Sequence, residues 1–217
     1  LHQFFNPNKI IQTGNPVRKD ITTTLPNKKE ACNFFQLSTD KKTILIIGGS
    51  LGAKTINESI EKNLLQFQQN NLQIIWQTGK VYYDGIIERT KNIDLSSIKI
   101  QQFIREMNMA YAAADIVVSR AGALSISELC IIGKPSILIP SPNVSEDHQT
   151  KNAMALVTKN AAILIKDVEA KDTIDTTILN LLQDETKLIE LANNIKTLAK
   201  SNAATEIVTA ILQDINH

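Results

Sequence analysis

Four short segments of this 217-residue chain carry residue types that bind anions and polyols. The first is Gly48-Gly49-Ser50-Leu51-Gly52-Ala53, which follows an unbroken apolar run and leads into a helix beginning near Ala53. Glycines let a phosphate approach the backbone, unpaired helix-start amides and the helix dipole favour the anion by ~0.3–1 kcal/mol, and Ser50 adds a hydroxyl. The spacing does not fit the dinucleotide pattern G-x-G-x-x-G, nor a phosphate loop ending Gly-Lys-Ser/Thr. It does fit G-x-S-x-G, the nucleophile elbow of serine hydrolases, and Asp115 or Asp147 followed by His148 completes a triad in the right chain order. Against this, Asp147 and His148 are sequence neighbours and no HGGG-type oxyanion segment is present. A plain glycine turn with no ligand is the third reading.

The second segment runs from Ala114 to Pro135. Ile116-Val117-Val118 reads as a strand, Ser119 to Gly122 as a turn, and a helix starts near Ala123 or Leu124. Gly122 permits a turn that a β-carbon would hinder. Ser125 and Ser127 place hydroxyls near the helix start. Leu124 and Glu128, four apart, share a helix face. A carboxylate there can accept two hydrogen bonds from a vicinal diol such as a ribose, each worth ~1.5–3 kcal/mol. Taken alone, Glu128 reads equally well as a solvated helix residue.

The third segment covers residues 141–153. A helix near Glu146, capped by Ser145, carries Asp147, His148 and Gln149 in its first turn. His148 is read as a positioning group rather than a general base, and Gln149 as a donor and acceptor suited to a hexose hydroxyl. The fourth segment, residues 102–115, follows a strand end. Backbone groups at Phe103 and Ile104 can pair with a base edge, and Met107 and Phe103 can cover a planar ring. A strand–helix corner with core Met and Phe is the competing reading.

The elements that must hold these segments are legible too. Strands are expected at 9–13, 43–48, 72–77, 97–101, 115–119, 136–139 and 161–165. Most are continuous apolar runs, the mark of strands buried on both faces of a parallel sheet. Helical spacing between them, as in Ile56, Ile60, Leu64 and Phe67, gives βαβ units. The fold class is therefore α/β, a doubly wound, Rossmann-like parallel sheet. Ligands in such sheets bind beyond the carboxyl ends of the strands, where all four segments fall. Residues 171–216 read as helices, with Leu188, Leu191, Ile195 and Leu198 in one stripe. Residues 21–40, polar and holding Pro26, read as a loop or linker.

Composition narrows the partners. Lys plus Arg (23) nearly balance Asp plus Glu (22), so there is no global pull toward nucleic acid or an anionic membrane. Two scattered cysteines, Cys32 and Cys130, make neither a disulfide framework nor a zinc site, and a reducing cytoplasm is expected. No window approaches the ~18 apolar residues of a membrane span.

Gly14-Asn15-Pro16-Val17-Arg18, the glycine segment 48–57, residues 103–128 and Asp147-His148-Gln149-Thr150-Lys151-Asn152-Ala153 together resemble the C-terminal half of the MurG family of bacterial N-acetylglucosamine transferases. The resemblance implies the donor domain of a two-domain, inverting GT-B glycosyltransferase that needs no metal or other cofactor. It implies UDP-N-acetylglucosamine as donor and an undecaprenyl-linked muramyl-pentapeptide as acceptor. Carried over by position, Arg18 and Ser50 would contact the diphosphate. Ile104 would pair with uracil, beside Phe103 and Met107. Arg120, Gly122, Ala123, Leu124, Ser125, Ile126 and Ser127 would line the nucleotide, Glu128 would hold the ribose, and Gln149 would read the sugar beside His148. Residues 1–9 would be the tail of an N-terminal acceptor domain, 10–205 the donor domain, and 206–217 a helix crossing back. That other domain would supply the catalytic base and the contact with the inner face of the plasma membrane, so this half alone would bind donor but transfer little. A UDP-N-acetylglucosamine epimerase of the same fold is an alternative.

Overall fold

The computed structural model describes Asn6 and residues 10–142 and 147–215. Six strands form one sheet: β1 (Thr43–Ile47), β2 (Gln73–Gln77), β3 (Ile98–Gln101), β4 (Ile116–Ser119), β5 (Ser136–Leu138) and β6 (Ile163–Leu164). Their order is β3-β2-β1-β4-β5-β6, and every pairing is parallel. Eleven helices are described around them. Those before β2 are α1 (Lys19–Thr22), α2 (Lys28–Phe34), α3 (Lys54–Lys62) and α4 (Leu64–Gln69). Then come α5 (Tyr83–Thr90), α6 (Met107–Ala113), α7 (Ala123–Ile132) and α8 (His148–Val157). The chain finishes with α9 (Ala170–Gln183), α10 (Glu185–Lys196) and α11 (Ala203–Ile215).

The apolar strands need cover on both sides because alternate side chains point to opposite faces. Leu45, Ile47, Ile75, Val117 and Leu138 pack with residues of α2, α6, α7 and α8. Ile44, Ile46, Ile74, Trp76, Ile116 and Val118 pack with α3, α4 and α9. Register aligns Ile46 with Trp76 on one side and Val118 on the other. Trp76 is fully buried, and its indole N–H finds Asn57 Oδ1 at 3.0 Å. Helix α7 stops where Gly133 takes the left-handed conformation, φ 64°.

Two expectations about the first forty residues fail. Residues 10–13 join no ladder, and Lys9 lies outside the described residues. The segment is instead a strap pinned by side chains: Lys200 Nζ donates to the Gln12 carbonyl at 2.9 Å, and Asn15 Nδ2 to Ser127 Oγ at 2.9 Å. Residues 21–40 are not a linker. Asn27 caps α2 by accepting from the Glu30 amide, and Ala31, Cys32, Phe35 and Leu37 enter the core. The third segment's helix begins at His148, with Asp147 at its N-cap in a left-handed conformation. Ser145 and Glu146 lie outside the described residues. The stripe read in residues 171–216 is real: Leu191 and Ile195 are buried, and Leu188 and Leu198 pack against the two cores.

Candidate functional site

The strand order reverses between β1 and β4, so the chain leaves their carboxyl ends in opposite directions and opens a crevice there. A cavity of about 500 Å³ lies at this point, lined by Gly48, Gly49, Gly52, Arg120, Gly122, Ser125 and Gln149 among others. The starts of two helices line it, Lys54 and Thr55 from α3, Gly122 and Ser125 from α7. In α3 the first helical bond is Asn57 to Ala53, and in α7 it is Ile126 to Gly122. The amides before those bonds are the natural partners of an anion. Over Gly49, at φ 87°, a side chain would meet nothing within 4 Å, so the backbone is open to a ligand. Gly52 has a different reason to be glycine. At φ 89°, a Cβ there would lie 2.2 Å from the Thr78 carbonyl, while one on Gly79 would lie 2.1 Å from the Gly52 amide. The loops after β1 and β2 thus touch backbone to backbone.

The far wall is braced by polar side chains. Arg120 donates to the carbonyls of Ile139 (3.0 Å) and Pro140 (3.1 Å) and pairs with Asp167, whose other oxygen accepts from Thr55 (2.8 Å). One guanidinium therefore ties together the loops after β4, β5 and β6. Gln149 Oε1 accepts from the amides of Ala121 (3.2 Å) and Ser141 (2.9 Å), which fixes the orientation of its amide. Asn152, one helical turn on, donates to the Ala121 carbonyl at 3.1 Å. The pair grips both backbone groups of Ala121.

On the near side, Gln77 crosses between loops: Oε1 accepts from the Ile104 amide at 2.9 Å, and Nε2 donates to the Gly49 carbonyl at 3.1 Å. Ile104 is fully buried and Met107 nearly so, whereas Phe103 is half exposed, as is Leu124 on α7. Glu128 Oε2 accepts from Tyr111 Oη at 2.8 Å. Burial pushes the Glu128 carboxyl above the usual carboxylate range, against the pull of the Tyr111 hydroxyl and of Arg18. Burial, with the adjacent Glu128 charge, raises Tyr111 well above its usual value.

The cavity thus brings together Arg120, Gly122, Ser125 and Gln149, while Glu128, Tyr111 and Arg18 form a second group outside its lining. Arg18 reaches the Arg105 carbonyl at 3.5 Å and the field of Glu128, not the glycine loop. Ser50 sits exposed on that loop, outside the cavity lining. Gly122 needs no glycine for its own turn: φ is −65°, and a Cβ would meet only Ser125 Oγ at 3.8 Å. Ile126 and Ser127 face a different groove, beside Gly14, Cys130 and Lys200. The Ser127 hydroxyl is engaged by Asn15 and by the Ala123 carbonyl. Ala123 itself and His148, the first residue of α8, are exposed.

The hydrolase reading fails on geometry. Left-handed backbone in the elbow falls on Gly49 and Gly52, not on Ser50, so the strained nucleophile turn is absent. Asp115 precedes β4, at the opposite end of the sheet, where it is bound by Lys28 and the Thr43 amide. Tyr111, Gln77, Asn152 and Asp167 escaped the sequence reading. Asn152 alone carried a local signal, its spacing of three from Gln149.

Among the described residues no helix is long and apolar enough to cross a membrane, and no group of three or more His, Cys, Asp or Glu converges. A family model, Glycosyltransferase family 28 C-terminal domain, matches residues 43–207. A Parabacteroides distasonis protein named UDP-N-acetylglucosamine--N-acetylmuramyl-(pentapeptide) pyrophosphoryl-undecaprenol N-acetylglucosamine transferase is 50% identical over 216 residues, 100% of this chain and 59% of that protein. A relative of the same name from Bacteroides thetaiotaomicron is 49% identical, over 98% of this chain and 58% of its own length. The crystal structure of Acinetobacter baumannii MurG superposes with a TM-score of 0.71 at 27% identity, covering 95% of this chain and 58% of that one. The chain spans about three fifths of the curated relatives it matches.

Proposed function

This chain belongs to glycosyltransferase family 28, as its C-terminal domain, and from that premise we propose that it is the donor-binding half of an inverting transferase. It holds UDP-N-acetylglucosamine for delivery to a lipid-linked muramyl-pentapeptide, converting lipid I to lipid II in peptidoglycan synthesis. The observation that carries this reading is the crevice at the β1/β4 switch point, where two helix starts and an open glycine backbone meet, with a half-buried carboxylate, Glu128, three residues after the lining residue Ser125 on α7.

In this reading the diphosphate lies over Gly49 and against the amides that open α3 and α7, with Lys54 at the rim. Those donors stabilise the UDP that leaves, and the reaction needs no metal. The base stacks near Phe103 and Met107 at the loop carrying Ile104, whose amide is already held by Gln77, so pairing at that position needs the buried backbone of Ile104 to be uncovered on binding. Glu128 takes the ribose hydroxyls. The Nε2 of Gln149 donates to the sugar, its oxygen being spent on Ala121 and Ser141. Acceptor, base catalysis and contact with the inner face of the plasma membrane belong to the other domain of the full-length enzyme.

Titration calorimetry with UDP-N-acetylglucosamine, UDP and ADP tests the donor assignment. The uridine nucleotides bind, ADP binds at least about tenfold more weakly, and EDTA changes neither affinity. Equal binding of ADP overturns it. Joining the chain to an acceptor domain restores transfer from UDP-N-acetylglucosamine, which the chain alone lacks. A joined enzyme that epimerises the donor instead would favour the epimerase alternative.

A further inference from the structure

Tyr111 contributes nothing to the surface of the crevice. It lies in α6, is 1% exposed, and its ring is packed within the core beneath the loop after β3. A tyrosine so placed must find a partner for its hydroxyl, and the one it has is Glu128 Oε2 on α7, at 2.8 Å and on the same face of the sheet. Phenylalanine would fill the same space without that obligation. The hydroxyl is thus a fixed donor carried on a rigid ring. It occupies one lone pair of a carboxylate that has about four, and leaves Oε1 and the remaining Oε2 lone pair to accept.

We infer that Tyr111 is a positioning residue for ribose recognition: by anchoring Glu128 Oε2 it fixes the rotamer in which the carboxylate accepts from both the 2′- and 3′-hydroxyls of a uridine nucleotide. This rests on the assignment of Glu128 to the ribose. A vicinal diol donates along two nearly parallel directions, so a carboxylate turned by a few tens of degrees keeps at most one bond. The other groups facing Glu128 are less fixed. Arg18 and Asp20, at the start of α1, are paired with each other at 3.5 Å and are each about two-fifths exposed. Neither has the ring packing that holds Tyr111 in place.

The test compares UDP with 2′,3′-dideoxy-UDP, which lacks both hydroxyls, on the wild-type chain, Tyr111→Phe and Glu128→Gln. The wild type prefers UDP by about tenfold or more. Tyr111→Phe weakens UDP by about fivefold and leaves dideoxy-UDP within about twofold, so the preference shrinks. A role only in packing weakens both ligands alike, and that result overturns the inference, as does an unchanged preference. A second readout is the acid limb of UDP affinity. Losing the hydroxyl removes a bond that favours the ionised carboxylate, so in Tyr111→Phe the limb moves to higher pH. A limb that stays in place counts against the proposal. If the wild type and Glu128→Gln bind both nucleotides equally, the ribose assignment itself falls, an outcome distinct from failure at Tyr111 alone.

Discussion

The two ends of the sheet treat their acids differently. At the amino end, Asp115 accepts from Lys28 Nζ at 2.8 Å on both oxygens and from the Thr43 amide at 2.7 Å, with Lys42 at 4.0 Å. Lys134 beside it donates to the Ala114 carbonyl at 2.7 Å. At the carboxyl end, Glu128 is also partly buried but, among the described residues, accepts a single hydrogen bond, from Tyr111. A carboxylate that has satisfied its acceptors holds the fold together. One that is desolvated and only partly satisfied carries a cost in the free protein, which a ligand with matching donors removes. The number of donors supplied, more than burial, separates the structural acid from the binding acid.

That distinction should break first at Gly52, where the binding loop is itself structural. Gly52→Ala forces a side chain into φ 89° and into the Thr78 carbonyl. Urea unfolding should show a loss of about 3 kcal/mol or more, and calorimetry a loss of UDP binding with it. Asp115→Ala is the clean structural case. Removing the shared acceptor of Lys28 and Thr43 should cost about 2–3 kcal/mol in the same unfolding experiment while UDP affinity stays within about twofold. Glu128→Ala should give the converse: UDP affinity down about tenfold, or ~1.4 kcal/mol, with a midpoint shift well below that of Asp115→Ala.

The smallest effect is in pH. Glu128 has a folded-state pKa above its ordinary 4.5, so its contribution to stability is fully present below pH 4.5 and is lost as pH rises through the folded value. Ligand binding runs the other way, since the diol needs the ionised form. Between those two values, wild-type stability relative to Glu128→Gln should fall with rising pH while UDP affinity rises. Parallel movement of the two would contradict the assignment.

The sheet was readable in sequence because most of its strands, such as Thr43–Ile47 and Ile116–Ser119, are apolar runs buried on both faces, although the edge strand β3 alternates Ile98, Lys99, Ile100 and Gln101. The strand expected at 9–13 rested on Ile10 and Ile11 alone, and the partners of Gln12 and Asn15 are Lys200 and α7, far along the chain. Helix α2 was hidden by the polarity of residues around Pro26, although Asn27 and Glu30 hold a legible cap. Glu128 and Gln149 were found because each lies at a helix start after a strand, a position defined locally. Their partners were not. Tyr111 and Glu128 are seventeen residues apart with a strand between them, and Arg120 and Asp167 forty-seven. Nothing in local spacing announces such pairs. Cys130 shows the opposite case, a reactive residue type made inert by burial, which pushes its thiol up to about 11.

The strap has a consequence in time. The bond from Lys200 to Gln12 closes a span of 188 residues, and it rests on one lysine side chain at the surface. Long closures by few contacts open most readily, well below the free energy of global unfolding. Hydrogen exchange at the amides of Thr13, Gly14 and Asn15 should therefore be fast and independent of the slow exchange in β1 and β4. Each such opening also frees Asn15 from Ser127 at the start of α7. The groove that Ser127 lines with Gly14, Cys130 and Lys200 should breathe with residues 12–15, even while the sheet below it stays shut.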